Sequence, residues 1–541
     1  MMYLYFYLIS FSIIGYGFLI SNLLTIDKKN FGFLGIAGII FVSSFSYLTT
    51  LFFKHDYFFN SCFFILGFII FLISLKNFKS LKKELLSFFV IFTILLLFIT
   101  VAKNHDDFPY YHFPYMVLLT EYPHPIGLGL LNNGFRSPSS IFFIGSMLYL
   151  PGIKFYLFHL IPALILGFSN LMLFNLIIDK KIFDKNKFIN LISLLSLIFI
   201  NIFFYRLAEH GTDRSGMIVV ILSLIYLLYI TNNTEKNQID ENINLIKIFS
   251  VFICFASTIK PSFIINFPFF LILLMFNHTR SLFLSLIFSR TFFYCIIIIF
   301  LSILFTFLNS SCLIFPISFT CFENLPWSIE KNAINDVKIW FELWSKGGAN
   351  PHYVVDNRLD YISGINWFEN WINIYFFNKV SDFILGILIL SLIFYLTFYS
   401  KKRVKLKKNK IFLIYLFIII LLIEWFFNHP TLRYGGYHII ALLFFIPLCL
   451  IVEKMDIKFE VFIKKAFLLF FITLLLFTVR NVSRLNDEYK KYNYNPFNDS
   501  KFKFIGGNEG FYLRYNKHIE NHNKTYKFIN LLGKELILFK R

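Results

Sequence analysis

Leu85-Leu-Ser-Phe-Phe-Val-Ile-Phe-Thr-Ile-Leu-Leu-Leu-Phe-Ile-Thr-Val-Ala102 is an unbroken uncharged run, and it leads directly into Lys103-Asn-His105-Asp106-Asp107-Phe-Pro-Tyr-Tyr111-His112. Its eighteen residues make about 27 Å of helix, close to the ~30 Å hydrocarbon core of a bilayer. The run therefore reads as a membrane span whose exit carries two adjacent carboxylates. The same alternation of apolar run and polar break recurs at 3–24, 31–53, 57–75, 85–102, 156–178, 188–205, 217–230, 246–259, 262–276, 291–308, 383–399, 411–427, 439–452 and 466–479. These segments predict an all-α polytopic membrane protein with about fourteen transmembrane helices. At Lys260-Pro261 the proline either kinks one long helix or separates two.

Composition agrees. The 541 residues are 57% hydrophobic and only 15% charged, with a mean hydropathy of +0.67. Soluble domains carry roughly 25% charged residues, so lipid must be the main solvent. The net charge of +20 comes from lysines in short clusters between apolar runs. That is a topology signal and no nucleic-acid footprint. The 77 Phe residues, with abundant Ile, Lys, Asn and Tyr, are what AT-rich coding produces.

Basic clusters at 28–29, 76–83, 180–187, 401–410 and 454–465 all fall on one side of this segmentation, the cytoplasmic side by the positive-inside rule. Residues 1–84 then form N-terminal spans, and 85–479 a transmembrane core with outer loops 103–154 and 309–382. Residues 480–541 form a basic tail on the outer side, small and α/β or irregular, with a Gly-rich turn after Phe504 and an apolar string after Glu535. The first run lacks the basic start and cleavage site of a signal peptide and reads as a retained span.

Polar chemistry gathers at the outer face. Asp106 and Asp107, flanked by His105, Tyr111 and His112, suit a general base or a divalent cation such as magnesium or manganese. The plain alternative is a solvated loop at a helix end. A second outer loop, Arg206-Leu-Ala-Glu209-His210-Gly-Thr-Asp213-Arg214, crowds ionisable groups beside hydrocarbon. Such groups are costly unless paired or lining a polar cavity. Lys260, Arg214 and Arg433 suit phosphate oxygens, although a lone lysine there also snorkels to headgroups. Glu424 lies at the same end and can pair with a neighbouring cation.

In the long outer loop, Trp327, Trp340, Trp344, Trp367 and Trp371 serve as interface anchors or as sugar-stacking faces. Cys312 and Cys321, on the oxidising side, are candidates for a disulfide. No zinc motif, Gly-x-x-x-x-Gly-Lys-Ser/Thr loop or dinucleotide fingerprint occurs, which argues against direct use of ATP or NAD.

Four stretches, His105-Asp106-Asp107 with Tyr111-His112, Glu209-His210-Gly-Thr-Asp213, Cys312 to Trp327, and the Arg433 loop, resemble the GT-C superfamily of multi-spanning glycosyltransferases. More narrowly they resemble a group of bacterial membrane proteins within it. The resemblance implies a GT-C-like bundle in the bacterial inner membrane with its active face toward the periplasm. It implies a polyprenyl-phosphate sugar donor and a glycan or glycolipid acceptor, joined with inversion. Asp106 or Asp107 would be the base, and Arg433, Lys260 and Arg214 would hold the leaving phosphate. His105, Tyr111, His112, Glu209, His210, Asp213 and Trp327 would line the substrate cavity. No cofactor is implied beyond an optional divalent cation on Asp106 and Asp107. The chain departs from the simplest pattern in that three spans precede the one leading to the acidic loop.

Competing expectations are a flippase or transporter for a lipid-linked saccharide, an O-antigen-type polymerase or ligase resting on Arg433 and Arg214, and a scaffold without catalysis. A transporter should show repeats and midplane charges. Here the ionisable residues collect at one face.

Overall fold

The computed structural model describes residues 2–27, 30–76, 78, 81–100, 107–207, 211–232, 239–350, 353–404, 411–492, 526–531 and 534–539. The protein is an all-α polytopic membrane bundle. Among the described residues, eleven helices are long and apolar enough to cross a bilayer, or twelve counting one bent pair.

The first are α1 (Met2–Leu23), α2 (Phe31–Thr50), α3 (Tyr57–Leu75) and α4 (Leu81–Thr100). Short helices α5 (Phe113–Glu121) and α6 (Ser140–Ser146) fold the first outer loop. Four long helices follow: α7 (Leu160–Ile177), α8 (Lys180–Phe203), α9 (Thr212–Asn232) and α10 (Ile239–Ile259). The bent pair is α11 (Phe269–Met275) and α12 (Asn277–Ser285), and α13 (Arg290–Ser310) comes next. The long outer loop holds α14 (Lys331–Lys346), and α15 (Ser381–Phe398), α16 (Phe412–Asn428), α17 (Gly436–Glu453) and α18 (Phe459–Tyr492) complete the bundle.

Burial sorts these helices into centre and rim. The apolar window of α9 is 94% buried within the protein and that of α18 only 22%, so α9 is core and α18 faces lipid. Helices α1 and α2 meet backbone to backbone: a Cβ on Gly17 would fall on the Leu34 carbonyl, and one on Gly38 on that of Ile13. Small residues permit this approach where lipid tails compete with every apolar side chain. Polar glue supplements it, as in the buried Asn170–Asn201 amide pair (3.0 and 2.7 Å).

The basic connections gather at one end. Lys247 Nζ donates to Leu24 O (3.1 Å), Thr25 O (2.9 Å) and Thr25 Oγ1 (2.7 Å), and Thr291 Oγ1 donates to Leu24 O (3.3 Å). Glu84 Oε2 accepts from Phe31 N and Asn175 Nδ2. Lys187 Nζ reaches Met455 O, whose residue also bridges Arg403. The chain alternates between this end and the opposite one, as the charge pattern predicts.

The expected span 262–276 differs. Lys260 ends α10 at the far end, while Thr291 begins α13 at the basic end. The chain returns between them by a 3-10 turn (Pro261–Asn266), α11 and α12, bent by 115°. Carbonyls freed at the break are recaptured: Thr279 Oγ1 donates to Leu273 O (2.7 Å) and Phe276 O (3.1 Å), and Arg280 Nε to Leu274 O (2.7 Å). Pro261 separates two elements here and does not kink one.

The boundary expected at 480 falls inside α18, which continues unbroken to Tyr492. In the tail, β1 (Tyr526–Leu531) pairs antiparallel with β2 (Lys534–Phe539), Tyr526 opposite Phe539. The apolar string after Glu535 is thus a strand, and the Gly-rich turn after Phe504 lies outside the described residues.

Candidate functional site

Four distant segments deliver one charged side chain each to the end of the bundle opposite the basic loops. Asp107 precedes the helical turn Phe108–His112, Asp213 sits in the first turn of α9, Lys260 follows α10, and Arg433 lies in the 3-10 turn Leu432–Tyr434 before α17. Arg433 Nη2 donates to Asp107 Oδ2 and its Nε to Asp213 Oδ2, while Lys260 Nζ donates to Asp213 Oδ1. Two carboxylates and two cations cancel, which is what permits their placement beside hydrocarbon. The Asp213 side chain is 3% exposed, against 26% for Asp107 and 33% for Arg433. Asp213 is the buried anchor, and the other two are partly exposed.

The surroundings set the charge states. Burial lowers the Lys260 ammonium below its ordinary value, Asp213 opposing and Arg433 reinforcing the effect. Burial pulls the Arg433 guanidinium down too, but Asp213 and Asp107 outweigh it and hold it above its usual value. The phenols of Tyr111 and Tyr434 are pushed up, chiefly by burial and next by Asp107 for Tyr111. Both stay protonated. Lys260 Nζ lies 4.3 Å from the Tyr434 ring centroid, a desolvated cation–π contact.

The Arg433 loop is held from outside. Trp425 Nε1 donates to Thr431 O (2.8 Å), Trp371 Nε1 to Pro430 O (2.8 Å), and Leu432 N to Tyr375 Oη (3.0 Å). Gly435 takes φ +109°, a left-handed conformation that suits glycine, and this turns the chain into α17. From the long outer loop, Ser345 Oγ meets Thr431 Oγ1 (3.4 Å), and the Trp344 ring lies 5.2 Å from that of Tyr434. The loop 309–382 is thus a roof whose aromatic underside abuts the ion cluster.

Residues 1–440 match the model of a protein family described as a domain of unknown function, DUF8201. The chain belongs to the DUF8201 family. All four members of the ion cluster lie within the matched residues. No curated protein matches this DUF8201 chain, and no solved structure does.

In this DUF8201 protein the cluster joins the residues singled out as base and as phosphate ligand, Asp107 with Arg433 and Lys260. Asp213, expected to line the cavity, holds both cations. Tyr111 and His112 pack nearby, ring centroids 4.4 Å apart, with Gly211 against the His112 ring. His105, Asp106, Glu209 and His210 lie outside the described residues.

Arg214 is not in the cluster. Its guanidinium sits between the rings of Phe204 (5.5 Å) and Tyr437 (5.6 Å), because one residue beyond Asp213 on a helix turns the side chain by about 100°. Trp327 donates to Phe307 O (3.1 Å) at the end of α13, an anchoring contact. Glu424 accepts from Asn428 on its own helix (3.2 Å) instead of pairing with a cation.

Cys312 and Cys321 are disulfide-bonded across an antiparallel bridge. Among the described residues no three His, Cys, Asp or Glu side chains converge, and Asp107 gives its carboxylate to Arg433. Tyr434 went unnoticed as a site residue, although it adjoins Arg433 in the chain.

Proposed function

We propose that this protein is a GT-C-type membrane glycosyltransferase. It moves a sugar from a polyprenyl-phosphate donor to a hydroxyl of an envelope glycan or lipid acceptor, at the outer face of a bacterial inner membrane. The observation that carries the reading is the pairing of Asp107, in the first outer loop, with Arg433. A base is stored against the cation that a donor phosphate needs.

The chemistry follows from competition. A phosphate outbids a carboxylate for a bidentate arginine through its extra charge and oxygens. Once it engages Arg433 and Lys260, Asp107 is released and turns toward the acceptor. The acceptor oxygen then bonds to the anomeric carbon from the face opposite the phosphate, and its proton passes to the Asp107 carboxylate. The bond from that carbon to the phosphate oxygen breaks, and the electron pair leaves on polyprenyl phosphate, stabilised by Arg433 and Lys260. Asp213 keeps both cations in place. The rings of Trp344 and Tyr434 suit the apolar face of a sugar. The disulfide at Cys312 and Cys321 supports an oxidising side for this end.

Binding of polyprenyl phosphate to the purified protein tests the phosphate role. Arg433→Ala should weaken it at least about tenfold, a loss of ~1.4 kcal/mol. Unchanged affinity would remove Arg433 from that role.

A further inference from the structure

A second feature lies away from the ion cluster. Between α10, the bent segment 261–289 and α13 is a cavity of about 430 Å³. Its walls include Cys254, Phe267, Phe270, Ile299 and Phe300, with Lys247, Ser289 and Thr291 toward one end. It opens outward on the lipid-facing side of α13, where Ile296 is 49% and Phe300 59% exposed. A cavity so apolar does not hold ordered water, and left empty its walls forfeit dispersion contacts. In a bilayer it meets hydrocarbon.

Its depth separates it from the ion cluster. Along α10, Cys254 is about 9 Å and Lys247 about 20 Å from Lys260 at the helical rise per residue. The cavity therefore stops about 9 Å short of Lys260 and reaches down to the basic end, where Lys247 and Thr291 both bond to Leu24. Lys247 spends its ammonium on Leu24 and Thr25. Arg290, between the lining residues Ser289 and Thr291 in the chain, is exposed at this end of α13. An apolar slot that reaches the end where basic loops attract anionic lipid, with an exposed cation adjoining its lining residues in the chain, matches a phospholipid in both parts.

We propose that this cavity is a binding site for one acyl chain of an anionic phospholipid from the leaflet at the basic end, with its phosphate against Arg290. The lipid fills the space the bent segment leaves and braces α11 and α12, which follow Lys260 after the 3-10 turn Pro261–Asn266. The inference is independent of the sugar-transfer reading, since it concerns the opposite leaflet.

The test uses the full-length protein in nanodiscs with phosphatidylglycerol carrying a photoactivatable group in its acyl chain, crosslinks being mapped by mass spectrometry. Crosslinks should concentrate on the peptides containing Phe267–Phe270 and Arg290–Ile303. Ile299→Trp, which fills the slot, should abolish them there while labelling of α3 persists. Arg290→Ala, at an exposed position that leaves the fold intact, should reduce them about fivefold, the worth of one cation near a membrane surface. Crosslinking as dense on α3 and α15 as in the cavity would overturn the proposal. So would displacement of the probe by polyprenyl phosphate but not by unlabelled phosphatidylglycerol, which would give the slot to an isoprenoid chain.

Discussion

Asp213 and Asp107 both contact Arg433, yet they differ in what their loss should do. Asp213 is almost fully buried and compensates two cations, so Asp213→Asn strands charge in the protein and should cost about 3–5 kcal/mol of stability. Asp107 is partly exposed, and Asp107→Asn should cost no more than ~1 kcal/mol. Thermal melting in detergent separates them, and equal losses would contradict the assignment of Asp213 as anchor. A second residue-level prediction concerns His55, fully buried. Its Nδ1 lies 2.7 Å from Ser146 Oγ and its Nε2 2.9 Å from Thr49 Oγ1. Burial pulls its pKa down to about 3. The unfolded imidazole binds its proton near 6.5, so between 6.5 and 3 the unfolded state holds more protons. Stability should fall with falling pH through that window, by up to about 1.4 kcal/mol per unit. A melting series from pH 7 to 4 should be flatter in His55→Gln.

At the scale of elements, the roof loop and the bent segment show what a linear reading leaves out. Five tryptophans in one loop announced an interface. Their purpose appears only where Trp371 bonds to Pro430 O and Trp344 meets Tyr434. Trp371→Phe keeps the ring but orphans that buried carbonyl, a penalty of about 1–3 kcal/mol borne by the Arg433 loop. Polyprenyl-phosphate binding should weaken several-fold while helix content by circular dichroism stays unchanged. Binding at the original strength would mean the loop is held by its other contacts. The bend after Met275 was not legible, because Phe276 is neither proline nor glycine. The polar string Asn277-His-Thr-Arg280 was its only trace, and the Thr279 and Arg280 bonds to freed carbonyls give it meaning.

For the whole molecule, hydrophobic run length and lysine clustering were sufficient to find the spans and their alternation, since both follow from bilayer thickness and charge asymmetry. Asp107, Lys260, Asp213 and Arg433 were each recognisable as polar residues at span ends. Their pairing was not, because 326 residues separate Asp107 from Arg433 and only packing of the bundle brings them together. Arg214 is kept out of the cluster by the helix itself, one residue and about 100° beyond Asp213. The central claim, that the cluster stores a base and a phosphate site for sugar transfer, meets its most direct test in one assay. Purified wild type and Asp107→Asn are incubated with a panel of polyprenyl-phosphate sugars and glycan acceptors, and released polyprenyl phosphate is scored. The account predicts release by wild type with at least one donor and loss of at least about a hundredfold in Asp107→Asn, the lower range for removal of a general base. Turnover by Asp107→Asn at the wild-type rate would contradict it.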